Sequence, residues 1–464
     1  MQKEGFSSRW GFVLAAAGSA IGLGNMWRFP YLVGEYGGLS FILVYLFAVL
    51  IICNPLMVAE IALGRTAKSS FVDAYEVIGS RVKAKNLGIW KFFGGWVALI
   101  SLWMIVSFYF VVAGWVVYYL LEAVSGDLLS YSAKELVQGF DVLAKSFTIQ
   151  FGLGFMFLLL TALVVLGGVK KGIEKCSIYL MPVLFILLLV MVFQSLFWDK
   201  SHGGIKFLLT PNWEILGFRE DGFYWGDFAK VFMVALGQAF ISLSLGFGVL
   251  LVYGSYLKDK ENIFKTVKQI EFFDTGAAVL SAFVVIPAIF AGGIEPTAGP
   301  QLTFISLPLV FSRMPYGEVG AILFYCLLIL ATLTSTISIL EAVTNFFMKK
   351  FNIERFEAIG GTLIFVMVGF LPVCLSFSGA VDIKFLGRDL FSFFDWVAST
   401  YLTAIVSLTM ALFVGYKCMK QVIKNIAKGA RIPQWFVRYF LAMLRFVVPL
   451  FLILMLGLAF FKDL

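Results

Sequence analysis

The stretch G-S-A-I-G-L-G-N, residues 18–25, interrupts an apolar run that covers residues 10–34. A second apolar run, residues 228–257, carries a similar interruption, S-L-S-L-G-F-G, at residues 242–248. Glycine weakens a helix, and backbone groups that leave a helix within a bilayer need partners inside the protein. Close helix packing through small residues explains either stretch alone, since the first contains the G-x-x-x-G spacing. Two such breaks in one chain indicate discontinuous membrane helices.

The composition of the whole chain places these runs in a membrane. Of its 464 residues, 61% are hydrophobic and 14% are charged, whereas soluble domains are about 45–50% apolar and about 25% charged. A soluble globular protein and a disordered chain are therefore excluded. The continuous apolar runs also differ from the alternating pattern of a membrane β-barrel. The sequence predicts an all-α, multi-pass membrane protein.

The chain contains eleven apolar runs of about the 20 residues that a membrane-spanning helix needs. They cover residues 10–34, 39–63, 89–123, 152–169, 177–197, 228–257, 262–291, 318–348, 356–378, 390–416 and 436–461. Both interrupted runs open a block of five. Interrupted helices at matching positions of two halves indicate an inverted-repeat transporter with a site at the midplane.

We therefore predict one transporter domain, residues 1–464, with eleven transmembrane helices. Its two five-helix repeats are residues 10–197 and 228–416, with helices 1 and 6 broken, and residues 436–461 form an additional C-terminal helix.

Lysine and arginine are unevenly distributed between the two sides of this arrangement. If the N-terminus is cytoplasmic, about 24 of the 36 basic residues lie on the cytoplasmic side and about 9 on the other. This asymmetry predicts a cell (inner) membrane protein with the N-terminus inside and the C-terminus, residues 461–464, outside. It also accounts for the formal charge of +8, so we predict no nucleic-acid partner.

Polar groups within the apolar runs are the candidate functional residues. Unwound helix segments offer free carbonyls, which with Ser, Thr and Asn oxygens suit a cation such as sodium, and free N–H groups that attract a carboxylate. Ionisable residues inside a membrane are functional candidates by default. Of these, Arg28 and Asp395 both lie toward the outside, and we predict that they pair as a gate. Glu60 is a candidate partner for unwound backbone.

Other classes of function fit the sequence less well. A channel commonly assembles its pore from rings of carbonyls or charges around an axis, whereas this chain has two internal halves. Neither a zinc-protease nor a nucleotide-binding motif is present in the sequence, and His202 is the single histidine. We predict that the protein is not an enzyme. A sensor that does not transport stays open on the sequence alone.

Several blocks in the chain resemble the neurotransmitter:sodium symporter family. They are R-W-G-F at residues 9–12, A-G-S-A-I-G-L-G-N-M-W-R-F-P-Y at 17–31, G-Q at 237–238, S-L-S-L-G-F-G at 242–248, E-P-T-A-G-P at 295–300 and A-T-L-T-S-T at 331–336. They stand in the family's order and cover nearly the whole chain. The resemblance implies a bacterial-type sodium-dependent amino acid transporter that works by alternating access.

This resemblance implies two sodium sites. The first would combine the substrate carboxylate with the carbonyl of Ala20 and the side chains of Asn25, Ser242 and Asp274. The second would combine the carbonyls of Gly18, Ile21 and Ala331 with the hydroxyls of Thr334 and Ser335.

The resemblance also implies a substrate site. The substrate carboxylate would meet the N–H groups of Leu23 and Gly24 and the hydroxyl of Tyr109. The full set of substrate residues is Ala20, Leu23, Gly24, Ile105, Tyr109, Ile241, Ser242, Ser244, Phe247, Ser335 and Ile339. Family members that carry amines without a carboxylate have an aspartate where this chain has Gly22. We therefore expect a true amino acid, and the pocket residues predict an apolar or aromatic one.

Three positions depart from the family pattern. Ile241 replaces an aromatic lid residue. Asp274 stands where chloride-dependent members have asparagine, and Ala278 replaces their chloride-binding serine, although Tyr45, Gln238 and Ser242 of that site are kept. We expect the Asp274 carboxylate to supply the negative charge that chloride supplies elsewhere, so that transport is chloride-independent. Proton antiport through Asp274 stays open.

Overall fold

The structure is a computed structural model and describes residues 5–293 and 301–463. The sequence block at 295–300 and the C-terminal Leu464 lie outside these residues. Helices dominate the described part. Two short antiparallel hairpins accompany them: Phe218–Arg219 with Gly222–Phe223, and Lys384–Phe385 with Arg388–Asp389.

Nine helices among the described residues are long and apolar enough to cross a membrane, in agreement with the predicted all-helical membrane protein. These helices are Leu39–Ala67, Leu87–Ser125, Phe147–Leu166, Val169–Leu196, Ile263–Gly292, Gly317–Phe351, Arg355–Phe377, Leu390–Ile426 and Gln434–Phe460, the last of which continues to Asp463. Shorter helices are Ala74–Arg81, Ala133–Lys145, His202–Leu209 and Leu302–Arg313. Single 3₁₀ turns cover Asp127–Leu129 and Glu214–Leu216.

The two interrupted apolar runs are absent from these nine because each is divided into shorter helices. In the first run, helix Arg9–Ala20 ends at Ile21, whose backbone is extended (φ −74°, ψ 103°). Helical structure resumes over residues 24–35, where a π-helical turn, Gly24–Arg28, leads into Phe29–Glu35. The break leaves helix-end N–H and C=O groups without intrahelical partners.

In the second run, helix Trp225–Ser242 is separated from Val249–Tyr256 by an irregular segment. Gly246 has a φ of +78°, and a Cβ atom there would lie 2.5 Å from the carbonyl oxygen of Thr403. Only glycine fits this turn without strain. The buried Glu60 carboxylate accepts a hydrogen bond of 3.4 Å from the Gly246 N–H, which is the role expected of it.

The two breaks lie in the centre of the helical bundle. Helix Arg9–Ala20 packs against Gly317–Phe351 and Ile263–Gly292, and the segment after the second break packs against Leu39–Ala67. Several polar side chains around the breaks are buried, Asn25, Ser242 and Asp274 among them. The fold therefore brings polar groups from distant parts of the chain into the apolar interior.

Ion pairs hold the loop between residues 257 and 262 at one end of the bundle. The Asp259 carboxylate lies 3.0 Å from the Lys68 Nζ and 2.8 Å from the Lys428 Nζ. Hydrogen bonding to Lys428 and Lys68 lowers the pKa of Asp259 to about 2. Its stabilising contribution is therefore present above the ordinary carboxyl pKa of about 3.9 and is lost only as the pH falls toward about 2.

Asp259→Asn is expected to lower the free energy of unfolding by less than about 1 kcal/mol, because all three side chains are partly exposed. The loss should be the same at about pH 5 and about pH 8, since the carboxylate is ionised at both. Thermal unfolding of the purified protein measures it, with Asp141→Asn, an exposed single ion pair with Lys145, as the control. A loss of stability at only one of these pH values would contradict an Asp259 carboxylate that is ionised at both.

Candidate functional site

A cavity of about 270 Å³ lies between the two breaks. Its walls come from the break segments and from helices Leu87–Ser125, Gly317–Phe351 and Leu390–Ile426. All eleven residues that the sequence assigned to a substrate line it: Ala20, Leu23, Gly24, Ile105, Tyr109, Ile241, Ser242, Ser244, Phe247, Ser335 and Ile339. The fold thus gathers five separate parts of the chain around one space of the size of a small molecule.

A buried polar cluster adjoins this cavity. The Asn25 amide donates hydrogen bonds to the Ser242 hydroxyl (2.9 Å) and to the Asp274 carboxylate (2.8 Å). The Ser242 hydroxyl also lies 2.9 Å from both Asp274 oxygens, and the Tyr45 hydroxyl lies 3.4 Å from one of them. No basic side chain within residues 5–293 and 301–463 forms an ion pair with Asp274. A fully buried carboxylate beside two hydroxyl groups and an amide side chain suits a hard cation.

A second group of oxygens meets where helix Gly317–Phe351 crosses the first break. The Ser335 hydroxyl lies 3.5, 3.4 and 3.2 Å from the carbonyl oxygens of Gly18, Ser19 and Ile21. The Thr334 hydroxyl lies 3.1 Å from the carbonyl oxygen of Ala331. The single Ser335 hydroxyl proton cannot satisfy three carbonyls, so this group has a surplus of acceptors. Converging acceptors of this kind also suit a cation.

The first break presents donors to the cavity. The Leu23 N–H donates a hydrogen bond of 3.2 Å to the Tyr109 hydroxyl, two groups that the sequence assigned to the same carboxylate. The Ser244 hydroxyl, in a residue with φ of +52°, donates to the carbonyl oxygen of Ser19 at 3.1 Å. This last bond joins the second break directly to the first.

The predicted gate residues both line the cavity, but the structure does not pair them. Arg28 and Asp395 lie among the wall residues, and Asp395 accepts a hydrogen bond of 2.9 Å from the Ser399 hydroxyl. No contact of 4.0 Å or less between charged groups joins Arg28 to Asp395; both belong to the described part of the chain. The sequence predicts that Arg28 and Asp395 pair, but it does not specify the conformation of the protein in which they do so.

Four aromatic residues of the cavity wall were not among the predicted substrate residues: Trp27, Tyr31, Phe108 and Phe391. Phe108 and Phe391 both line the cavity, with ring centroids 5.2 Å apart. Phe391 also stacks on the fully buried Trp115 at 5.6 Å. Phe391 precedes Asp395 by four residues on one helix, and such pairs share a helix face. Phe391 could therefore have been predicted from its spacing to Asp395.

A bundle of apolar helices around a central cavity, with a carboxylate and converging carbonyls in the interior, defines a membrane transport protein. The comparisons with known proteins agree with this class. The family model described as "Sodium:neurotransmitter symporter family" matches residues 3–139 and 129–463. The chain belongs to the sodium:neurotransmitter symporter family. It is a sodium-dependent transporter and not an enzyme.

Individual relatives match over nearly their whole length. An uncharacterized sodium-dependent transporter of Haemophilus influenzae is 33% identical over 464 residues, which are 97% of this chain and 97% of that protein. The uncharacterized sodium-dependent transporter YhdH of Bacillus subtilis is 33% identical over 453 residues, 97% and 96% of the two chains. The crystal structure of MhsT in complex with L-phenylalanine matches with a TM-score of 0.85 and 33% identity, and covers 98% of this chain and 99% of that one.

Proposed function

We propose that the protein couples the entry of sodium to the uptake of an apolar or aromatic amino acid by alternating access. The observation that carries this proposal is the position of the cavity. It collects all eleven expected substrate residues and adjoins the Asn25, Ser242 and Asp274 cluster. The phenylalanine bound by MhsT, a protein 33% identical to this chain, supports the substrate class.

Two sodium ions are proposed as cargo. The first would be held by the Ala20 carbonyl, by Asn25, Ser242 and Asp274, and by the substrate carboxylate. The second would be held by the carbonyls of Gly18, Ile21 and Ala331 with the hydroxyls of Thr334 and Ser335. One charge crossing 100 mV gains about 2.3 kcal/mol, and a roughly tenfold gradient adds about 1.4 kcal/mol. Two ions therefore drive about 10⁵-fold accumulation of a neutral substrate.

The substrate would enter with its carboxylate toward the first break. It would meet the N–H groups of Leu23 and Gly24 and the Tyr109 hydroxyl, which now accepts from Leu23. Its side chain would lie among Ile105, Tyr109, Ile241, Phe247, Ser335 and Ile339. Closure of Arg28 onto Asp395 would then shut the outer end of the cavity.

The proposed architecture has eleven spans, with the N-terminus inside and the C-terminus outside the cell membrane. Residues 10–197 and 228–416 would form the inverted repeats, with helices 1 and 6 broken, and 436–461 the extra helix. The division of residues 9–35 and 225–256 into shorter helices supports this arrangement. We also propose chloride-independent transport. Proton antiport would follow from the same carboxylate. When the empty transporter changes conformation without sodium, the buried Asp274 is expected to carry a proton. Substrate-dependent proton efflux from vesicles would detect this.

A competition screen tests the central proposal. Each of the twenty amino acids would compete, in sodium and in potassium, with the binding of radiolabelled phenylalanine or leucine to the purified protein. We expect competition by apolar or aromatic amino acids, in sodium only. A Ser335→Ala variant should need a higher sodium concentration for half-maximal binding of the amino acid, because Ser335 belongs to the second oxygen group. Binding of no amino acid in sodium contradicts the proposal.

A further inference from the structure

A wide groove of about 550 Å³ lies on the outer surface of the bundle, away from the central cavity. Its lining joins the start of the first helix, Trp10, to the first three turns of helix Ile263–Gly292. From the latter come Phe264, Lys265, Lys268, Gln269, Phe272 and Phe273. Trp10 is 56% exposed and Phe272 is 73% exposed. Because these helices belong to the membrane domain, the exposed rings face lipid or the lipid–water boundary, where tryptophan is enriched.

The charged residues that line this groove are both lysines. Lys265 and Lys268 are exposed, and neither forms an ion pair with a side chain that the structure describes. Three acids lie near them in sequence, Asp259, Glu261 and Glu271. Asp259 pairs with other lysines. The buried Glu271 accepts a hydrogen bond of 2.9 Å from Asn54 and interacts with Lys268 only through space, without an ion-pair contact.

A third cation stands at the edge of the same groove. The Arg9 guanidinium donates a hydrogen bond to the Gln269 side chain, a lining residue, and the buried Arg9 Nε–H has no hydrogen-bond partner in the described structure. The groove thus combines three cationic side chains with exposed aromatic walls at the end of a membrane helix. A lipid with an apolar chain and a negatively charged phosphate headgroup has both complementary features.

We propose that this groove binds one anionic phospholipid, such as phosphatidylglycerol. Its headgroup would lie against Lys265 and Lys268, with the Arg9 guanidinium adding positive charge at the edge of the groove, and its acyl chain would lie against Trp10 and Phe272. The lipid would bridge the first helix and helix Ile263–Gly292. These two helices lead to Asn25 and Asp274, so an occupied groove holds together elements that carry the proposed sodium ligands. Binding itself does not depend on what the central cavity transports.

The test uses the full-length protein in nanodiscs of phosphatidylethanolamine that contain increasing fractions of phosphatidylglycerol. Native mass spectrometry counts retained lipid. Because the chain has eleven tryptophans, the part of the energy transfer to a headgroup-labelled lipid that is lost in Trp10→Phe reports occupancy of the groove. Each lysine near a headgroup contributes a roughly fivefold gain in affinity. Lys265→Gln/Lys268→Gln is therefore expected to weaken retention roughly thirtyfold.

The matched control is Lys170→Gln/Lys171→Gln, which removes the same charge from two exposed lysines outside the groove. It should bind like the native protein, and phosphatidylcholine should not replace phosphatidylglycerol. Equal loss in the two double variants, equal binding of the neutral lipid, or displacement by inorganic phosphate alone would overturn the proposal. Because all four lysines are exposed, folding of both variants is expected and is checked by size-exclusion chromatography.

Discussion

Asp274→Asn is expected to reduce sodium-dependent uptake in chloride-free solution by roughly a thousandfold and to make the remaining transport chloride-stimulated. In the structure, the Asp274 carboxylate is fully buried beside Asn25 and Ser242 and has no basic partner among the described residues. It is therefore the negative charge available to a sodium ion at this cluster. A charge pair about 4 Å apart in such a setting is worth about 4 kcal/mol, or roughly three orders of magnitude in affinity. Chloride would restore part of that charge.

Uptake into proteoliposomes with chloride or gluconate measures the effect. Glu271→Gln is the matched control, because it neutralises another buried carboxyl one helical turn away that bonds Asn54 instead. It should leave uptake insensitive to chloride. Adding Ala278→Ser to Asp274→Asn should increase the chloride stimulation by supplying a hydroxyl. If the Asp274→Asn protein remains active and its uptake does not respond to chloride, the Asp274 carboxylate does not replace chloride.

Gly22→Asp is expected to lower the affinity for amino acids at least about a hundredfold, since like charges about 4 Å apart repel by several kcal/mol. A Cβ atom on residue 22 would lie 2.7 Å from the Ser335 Oγ and 2.8 Å from the Tyr109 hydroxyl. The new carboxylate would therefore occupy the region proposed for the substrate carboxylate. An amine that lacks a carboxylate, such as phenethylamine, should compete better with the variant than with the native protein.

Equilibrium binding of labelled phenylalanine, with the amine as competitor, measures both changes. Gly24→Ala is the control, because a Cβ atom there meets only the Ile241 Cγ2 at 3.7 Å, an ordinary contact. It should keep most of the affinity for phenylalanine. If Gly22→Asp and Gly24→Ala lose affinity equally, or if the amine gains nothing, the substrate carboxylate does not lie at Gly22.

The sequence predicted the parts of the fold that depend on local composition. Apolar runs of sufficient length predicted nine helices, seven of them within five residues of the observed bounds, and glycine and serine clusters marked where the other two runs are divided. The predicted bounds were less accurate where a polar capping residue starts a helix before the apolar run begins. The fourth run was expected at 152–169, whereas the helix is Phe147–Leu166. Its start is set by Ser146, whose hydroxyl accepts a hydrogen bond from the Ile149 N–H.

The site was predictable where chemistry requires an unusual residue, such as Asp274 in an apolar helix. Phe108 was missed because aromatic residues are common throughout this chain, and only packing in three dimensions brings its ring to that of Phe391. The separation of Arg28 from Asp395 could not be predicted from the sequence either. A sequence specifies which charges can meet, whereas the conformation decides whether they do.

The hydrogen bonds between the two breaks bear on leakage of ions without substrate. Ser244 donates to Ser19, and Asn25 donates to Ser242, so neither break can move alone without leaving polar groups unpaired in the interior. Each unpaired group costs about 1–3 kcal/mol. A state in which one break has shifted and the other has not would therefore be at least roughly thirtyfold less populated than the concerted states. We therefore expect the two segments to move together and uncoupled passage of sodium to be rare.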